Sequence, residues 1–243
     1  MGSKGRISKE ILPIILKDRK PGQCYVEPMA GGFNLICKVG GNRIASDCNK
    51  YLIALFVALQ SGWKPYKVCK EKHKEVRENK NLFPDYLVGW IGFACSYSGV
   101  FFGGYAGKTF TKTGIVRDYQ EEAIKNAEKQ TKEIAGINIF NCDYWELEIP
   151  PESIIYCDPP YKETSGYKVK FDHDAFWEWC RQKTKEGHQV FISEYNAPKD
   201  FVCVWSKELS SSLSANGKSG GNKKSTERLF VYERQFFTEN LDF

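Results

Sequence analysis

One stretch restricts the fold more than any other. Ser153-Ile154-Ile155-Tyr156-Cys157 is a short apolar run, cut off by Asp158-Pro159-Pro160-Tyr161. A β-branched run that ends in Asp-Pro-Pro reads as a buried strand with an abrupt stop. Neither proline has an N–H, and each fixes its own φ, so the turn is stiff. Asp158 and its neighbouring carbonyls are therefore held at the carboxyl end of a strand, where α/β sheets bind ligands. Tyr161 adds an aromatic ring. A carboxylate, a fixed carbonyl and a ring suit a planar base with an exocyclic amine: two hydrogens need acceptors and one ring needs a face. A rigid strand-to-turn junction without chemistry could be spelled the same way.

The first fifty residues carry the second signal. Residues 7–17 read as an amphipathic helix and Cys24-Tyr25-Val26 as a short strand. Glu27-Pro28-Met29-Ala30-Gly31-Gly32 is a glycine turn, and Phe33 to Val39 reads as helix. A second strand runs from Asn42 to Asp47, with the acid at its end, before an apolar helix from Asn49 to Gln60. Strand, Gly-loop, helix and strand with a terminal acid make one βαβ unit of a nucleotide-binding sheet. Asp47 stands about where such folds place a ribose-binding carboxylate; a helix N-cap is the plainer reading.

The pattern then changes. Lys64 to Lys80 is charged and reads as helix, Pro84 to Tyr105 is Gly- and aromatic-rich, and Asp118 to Lys132 is a polar helix. Strand-like runs resume at Ile137–Phe140 and at the Asp158 strand. A helix from Phe171 to Lys185, a strand from Gln189 to Ser193 and a closing strand Leu229–Tyr232 follow. Residues 63–135 therefore read as an insertion between two halves of one sheet, 1–62 and 136–243. Segment 206–228 is Ser-, Gly- and Lys-rich, with a flexible, basic loop around Asn216 to Arg228 before the last strand, which reads as part of a closing hairpin.

Composition excludes little but sets the partner class. The net charge of +5 permits a polyanionic partner without requiring one. Nine cysteines are scattered with no CxxC pair, so no zinc or redox motif is signalled. Most lie beside apolar residues, which predicts buried, reduced thiols. His73, His173 and His188 are isolated, and no metal is expected. No apolar stretch is long enough for a membrane span, so a cytoplasmic, membrane-free protein is expected, with a monomer favoured.

These motifs together resemble the Dam-type, alpha-group DNA adenine-N6 methyltransferases. Asp158-Pro159-Pro160-Tyr161 is similar to that family's motif IV. Gly2-Ser3-Lys4 is similar to its N-terminal segment, and Glu27 to Gly32 to its acid-Pro-Phe-x-Gly-x-Gly loop. Two departures stand out: Met29 replaces the usual Phe, and Phe33 stands where a final Gly is common. The resemblance implies an α/β fold, a Rossmann-like methyltransferase sheet flanked by helices with an inserted, mainly helical and hairpin target-recognition subdomain at 63–135. It implies S-adenosyl-L-methionine as cofactor, held by Lys4, Glu27, Pro28, Ala30, Gly31, Gly32, Asp47, Asp143, Tyr144 and Asp158. It further implies methylation of a flipped-out adenine in double-stranded DNA. Asp158 and the Pro159 carbonyl accept the amine hydrogens, Pro160 stiffens the turn, and Tyr161 stacks on the ring.

DNA contact is expected from Tyr97, Phe101 and Phe102, with a hydrophobic mini-core as the alternative. The basic residues Lys218, Lys223, Lys224 and Arg228 are expected on phosphates, along with Asn216 and Gly217 of the same loop. The Lys64–Lys80 charges read first as a solvated face. Cytosine-N4, RNA or protein-amide methylation and a non-catalytic reader remain the competing readings.

Overall fold

The computed structural model describes residues 4–110, 114–161, 171–211 and 223–236. In chain order the elements are α1 (Ser8–Ile15), β1 (Tyr25–Glu27), β2 (Arg43–Ser46), α2 (Lys50–Gln60), α3 (Lys70–Glu78), α4 (Asp85–Gly89), β3 (Lys108–Phe110) and β4 (Val116–Asp118). Then come α5 (Tyr119–Glu133), β5 (Ile137–Phe140), β6 (Ile154–Cys157), α6 (His173–Lys185), β7 (Gln189–Glu194), β8 (Phe201–Ser211) and β9 (Lys223–Tyr232). The fold is α/β and Rossmann-like, with parallel strands, flanking helices and an antiparallel edge. The chain divides into two compact units: Met1–Arg6 with Ala30–Leu147, and Ile7–Met29 with Glu148–Phe243.

In the first unit β2 and β5 pair in parallel from Arg43↔Ile137 to Ser46↔Phe140. Helix α2 buries Leu52, Ile53, Leu55, Phe56 and Leu59. Its N-terminus is capped by the Asn49 side chain, which accepts from the Leu52 N–H at 3.2 Å. At its other end Gln60 donates to the carbonyls of Ile134 (2.8 Å) and Ile137 (2.9 Å), tying α2 to the start of β5. Arg43 gathers further carbonyls at the same edge, from Ile36, Glu133 and Ala135. Helix α4 packs so closely on α2 that a Cβ on Gly89 would lie 2.1 Å from the Tyr51 carbonyl oxygen. Strands β3 and β4 form a short antiparallel hairpin, Lys108↔Asp118 to Phe110↔Val116.

In the second unit β1, β6 and β7 are parallel, β9 runs antiparallel to β7, and β8 antiparallel to β9. Strand β6 is buried at every position. Helix α6 is capped by Asp172, whose Oδ1 accepts from the N–H groups of Asp174 and Ala175. Its inner face buries Phe176, Trp177 and Cys180. Trp177 meets Phe201 edge-on at 4.6 Å, so the helix is fixed against the edge hairpin.

Four expectations from the sequence are corrected. The helix expected over Phe33–Val39 is only a 3-10 turn, Ile36–Lys38. Phe33 has φ +59, in the left-handed region that a helix start cannot use. The Lys64–Lys80 helix shrinks to α3, which starts after Pro65 and takes Cys69 as its cap, with the sulfur accepting from the Lys72 N–H at 3.4 Å. The loop expected around Asn216 to Arg228 is strand from Lys223 onward: β8 and β9 pair through Ser206↔Arg228 to Ser211↔Lys223. Backbone pairing at a sheet edge does not require the apolar alternation by which strands are read. Of the nine free cysteines, only Cys95, Cys157 and Cys180 are buried, while Cys48, Cys69 and Cys203 are exposed.

Candidate active site

The first unit brings two acids to the carboxyl ends of adjacent parallel strands. Asp47 follows β2, and Asp143 lies three residues beyond β5. The Asp47 N–H bonds the Phe140 carbonyl, and the Asn141 amide donates to the Asp47 carbonyl at 2.8 Å. Asp47 is not the helix cap, because Asn49 fills that place. Its Oδ2 accepts from the Gly31 N–H at 3.0 Å and its Oδ1 from the Asn49 N–H at 2.8 Å. The carboxylate thus fastens the glycine turn to the strand end.

Gly31 has φ +48 with nothing within 4 Å of a would-be Cβ, so the turn is open on that side. Ala30 and Tyr144 are buried, while Gly31 and Gly32 are half-buried. The Gly32 carbonyl accepts from Gln130 of α5. Asp143 Oδ1 accepts from the Tyr144 N–H at 2.7 Å. Burial raises the pKa of both acids, and the charge of Asp143 adds to the rise at Asp47. Lys4, buried in a short 3-10 turn, belongs to the same unit.

The second unit holds the acid-proline turn. Asp158 leaves the end of β6, one residue past the Cys157↔Ile192 pairing, level with the last residues of β7. It is half-buried, and Pro159 behind it is buried. Two tyrosine hydroxyls sense its charge. Tyr156, bonded to the Ser193 hydroxyl at 2.7 Å, has its pKa pushed well up by burial first and by Asp158 second. Burial first, then Asp158 and then Glu227, push the Tyr161 hydroxyl far up, so it remains protonated. That hydroxyl donates to Glu227 Oε2 at 2.7 Å. The Tyr161 ring stands edge-on to Tyr195, centroids 4.5 Å apart and planes at 77°. Glu27 ends β1, buried, and accepts from the Tyr25 hydroxyl at 2.8 Å. Pro28 beside it is also buried.

Tyr195 and Glu227 touch this turn through Tyr161, with Glu194 beside Tyr195 at the end of β7, and all three are absent from the sequence reading. The strand end of Ser193-Glu194-Tyr195 was the available signal, since it parallels the Asp158 end one strand away. Glu227 gave no signal, because its segment read as loop.

The expected DNA-facing residues divide. Phe101 stacks on Tyr51 at 5.5 Å and lies against Phe93 at 4.8 Å, while Phe102 meets His73 edge-on. A Cβ on Gly92 would come within 2.4 Å of the Phe101 ring. Phe101 and Phe102 therefore form a mini-core. Tyr97 is 49% exposed and tilts against Tyr119, whose ring carries the Arg117 guanidinium at 4.6 Å. The adjoining hairpin exposes Phe110 by 80%, with Ile115 and Val116 also exposed. Lys218 lies outside the described residues, as do Asn216 and Gly217. Lys223 and Lys224 fall on β9. Arg228 donates to the Tyr195 carbonyl. In the charged stretch Lys67 pairs with Asp118 and Glu121, and Lys72 with Glu75, as a solvated face does.

Among the described residues no group of three or more His, Cys, Asp or Glu could hold a metal ion. No helix among them is long and apolar enough to cross a membrane.

The family model described as D12 class N6 adenine-specific DNA methyltransferase matches residues 92–216. No curated protein matches the chain. Among solved structures, SMU.472, a provisionally assigned methyltransferase complexed with SAH, aligns at a TM-score of 0.36 and 12% identity. The alignment covers 95% of this chain and 52% of that one, so the chain spans about half the length of that structure.

Proposed function

Because the chain belongs to the D12 class N6 adenine-specific DNA methyltransferases, we propose that it transfers a methyl group from S-adenosylmethionine to the N6 amine of an adenine flipped out of duplex DNA. The carrying observation is the Asp158 carboxylate, at the end of a buried parallel strand and followed by two prolines and the Tyr161 ring.

The first unit fits the cofactor by donor and acceptor chemistry. A carboxylate offers about four lone-pair sites, and backbone N–H groups occupy one on each Asp47 oxygen. Ribose hydroxyls are donors and match what remains. Asp143 offers an acceptor for the adenine amine, with Tyr144 behind it. The open side of Gly31 lets a ligand approach the backbone. Lys4, Ala30 and Gly32 of this unit are assigned to the methionine end. When bound, the cofactor supplies an electrophilic methyl group on a sulfonium.

The remaining work is done by the acid-proline turn. An adenine amine is buried in the base stack, so the base must leave it. Asp158 and the Pro159 carbonyl accept the two amine hydrogens, which turns the nitrogen lone pair toward the methyl. As nitrogen attacks, positive charge grows on it, and the same fixed acceptors stabilise that charge. Pro160 keeps the turn from relaxing, and Tyr161 offers its ring face to the base. Asp158 would take up the amine proton once the N–C bond has formed and the methyl carbon has left sulfur, which keeps the bonding pair as a neutral thioether.

For DNA contact we favour Tyr97 and the β3–β4 hairpin over Phe101 and Phe102, whose rings are used internally. Apolar side chains left exposed on a two-stranded ribbon suit a groove or a disrupted stack. Lys218, Lys223, Lys224 and Arg228 remain the phosphate candidates.

Digestion of enzyme-treated duplex DNA and mass analysis of its nucleosides tests the reaction. N6-methyladenine is the expected product; N4-methylcytosine, or label only in RNA, would replace this reading with one of its competitors.

A further inference from the structure

We infer that Glu227, on the edge strand β9, is a positioning residue that holds the Tyr161 ring for base stacking; this rests on the proposed methyl transfer. Tyr161 follows two prolines that stiffen the backbone, but they do not fix the turn of its ring. Three contacts within the second unit do. Its hydroxyl donates to Glu227 Oε2 at 2.7 Å, and its ring and that of Tyr195 meet at near right angles, centroids 4.5 Å apart and planes at 77°. Tyr195 in turn is anchored through its backbone carbonyl, which accepts from Arg228, the residue after Glu227. One strand segment, Glu227-Arg228, thus supports both the ring and the ring that supports it. Strand pairing makes the support rigid: Arg228 lies opposite both Glu194 of β7 and Ser206 of β8.

The chemistry of the bond adds to its geometry. A hydroxyl donating to a carboxylate makes a charge-assisted hydrogen bond, roughly twice as strong as a neutral one. It also shifts electron density onto the phenol ring, making the ring face more attractive to positive charge. Positive charge is what the target base acquires as its amine is methylated. Glu227 therefore acts on the reaction through Tyr161, without touching the base.

The test is a double-mutant cycle on single-turnover methyl transfer to duplex DNA, using Tyr161→Phe, Glu227→Ala and the double variant, with Glu227→Gln as the conservative change. Each single variant is expected to slow transfer about tenfold, the worth of one charged hydrogen bond. The affinity for S-adenosylmethionine should stay unchanged, and the double variant should be no slower than either single one. Glu227→Gln, which keeps an acceptor, should recover part of the loss. Tyrosine labelled at Cζ gives a readout independent of activity. The NMR resonance that vanishes in Tyr161→Phe should move in Glu227→Gln. Losses that multiply, an unaffected Glu227→Ala, or a Tyr161 resonance indifferent to residue 227 would each overturn the inference. A wild type that binds cofactor but methylates no DNA would instead sink the functional reading beneath it.

Discussion

Asp47 shows how much one side chain can be asked to do. It fastens the glycine turn through Gly31 and the start of α2 through Asn49, while two acceptor sites remain for a ligand. Asp47→Ala should weaken S-adenosylmethionine binding about ten- to a hundredfold, since a hydrogen bond to a charged group is worth roughly 1.5–3 kcal/mol. Calorimetry would read this directly. The pH dependence follows from burial, which raises the Asp47 pKa above its ordinary 3.8. A raised acid favours the folded state in its neutral form; that contribution is full below 3.8 and is lost as pH rises through the folded value. Ligand donors need the charged form. Affinity should thus fall on acidification at a higher pH than an ordinary aspartate would dictate. A dissociation constant that stays flat until pH drops below 3.8 would contradict it.

Phe33 is the residue at which sequence reading met its limit. A phenylalanine where the family often has glycine looks like a departure, yet it adopts φ +59, a backbone conformation glycine would take freely. Its ring stacks on Phe56 at 4.0 Å, fully buried, and this packing offsets the strained backbone. The conformation depends on a partner far along the chain, which no local pattern reveals. The strand-end places of Asp47 and Asp158 were legible because the apolar runs before them mark strands, whereas Asp143, three residues past β5, came only from the resemblance. Glu227 and Tyr195 were not legible, because they reach the turn only through strand pairing.

Among elements, the α2–α4 pair is packed backbone against backbone. Gly89→Ala must displace the Tyr51 carbonyl, and should destabilise the protein by about 1–3 kcal/mol. That lowers the thermal midpoint by roughly 2–4 °C per kcal/mol for a chain of this size. Phe101→Ala, which opens a cavity in the mini-core, should also lower the midpoint. If it instead left stability intact and weakened DNA binding, Phe101 would be a DNA wedge after all. His188 anchors another junction: buried, its Nδ1 accepts from the Ser153 N–H at 3.1 Å, just ahead of β6. Burial lowers its pKa below 6.5. The stability this gives is present above 6.5 and is lost as pH falls through the folded value. Chemical denaturation at about pH 7.5 and again below 6.5 should show that loss, and His188→Gln should reduce it.

Over the whole molecule, a net charge of +5 gives little general attraction for DNA. Under the proposed function, phosphate contact comes from placed residues. Replacing Lys218, Lys223 and Lys224 with alanine should flatten the salt dependence of duplex binding, by about 0.9 in the log–log slope for each phosphate no longer neutralised. Cofactor affinity should not change. An unaltered slope would remove the edge hairpin from the DNA interface. The closing hairpin was legible from its last strand, but its reach back to Lys223 was not. Its Ser- and Lys-rich composition suits an edge strand that must not aggregate, and the same composition reads as loop in a linear sequence.

The reaction assigned to Asp158 is tested most directly by tritium transfer from labelled S-adenosylmethionine to unmethylated duplex DNA, comparing wild type with Asp158→Ala. Label should appear as N6-methyladenine with wild type and fall by at least about a hundredfold in the variant, the cost of removing a fixed transition-state acceptor. Equal transfer by the two proteins, or none from a wild type that still binds the cofactor, would contradict it.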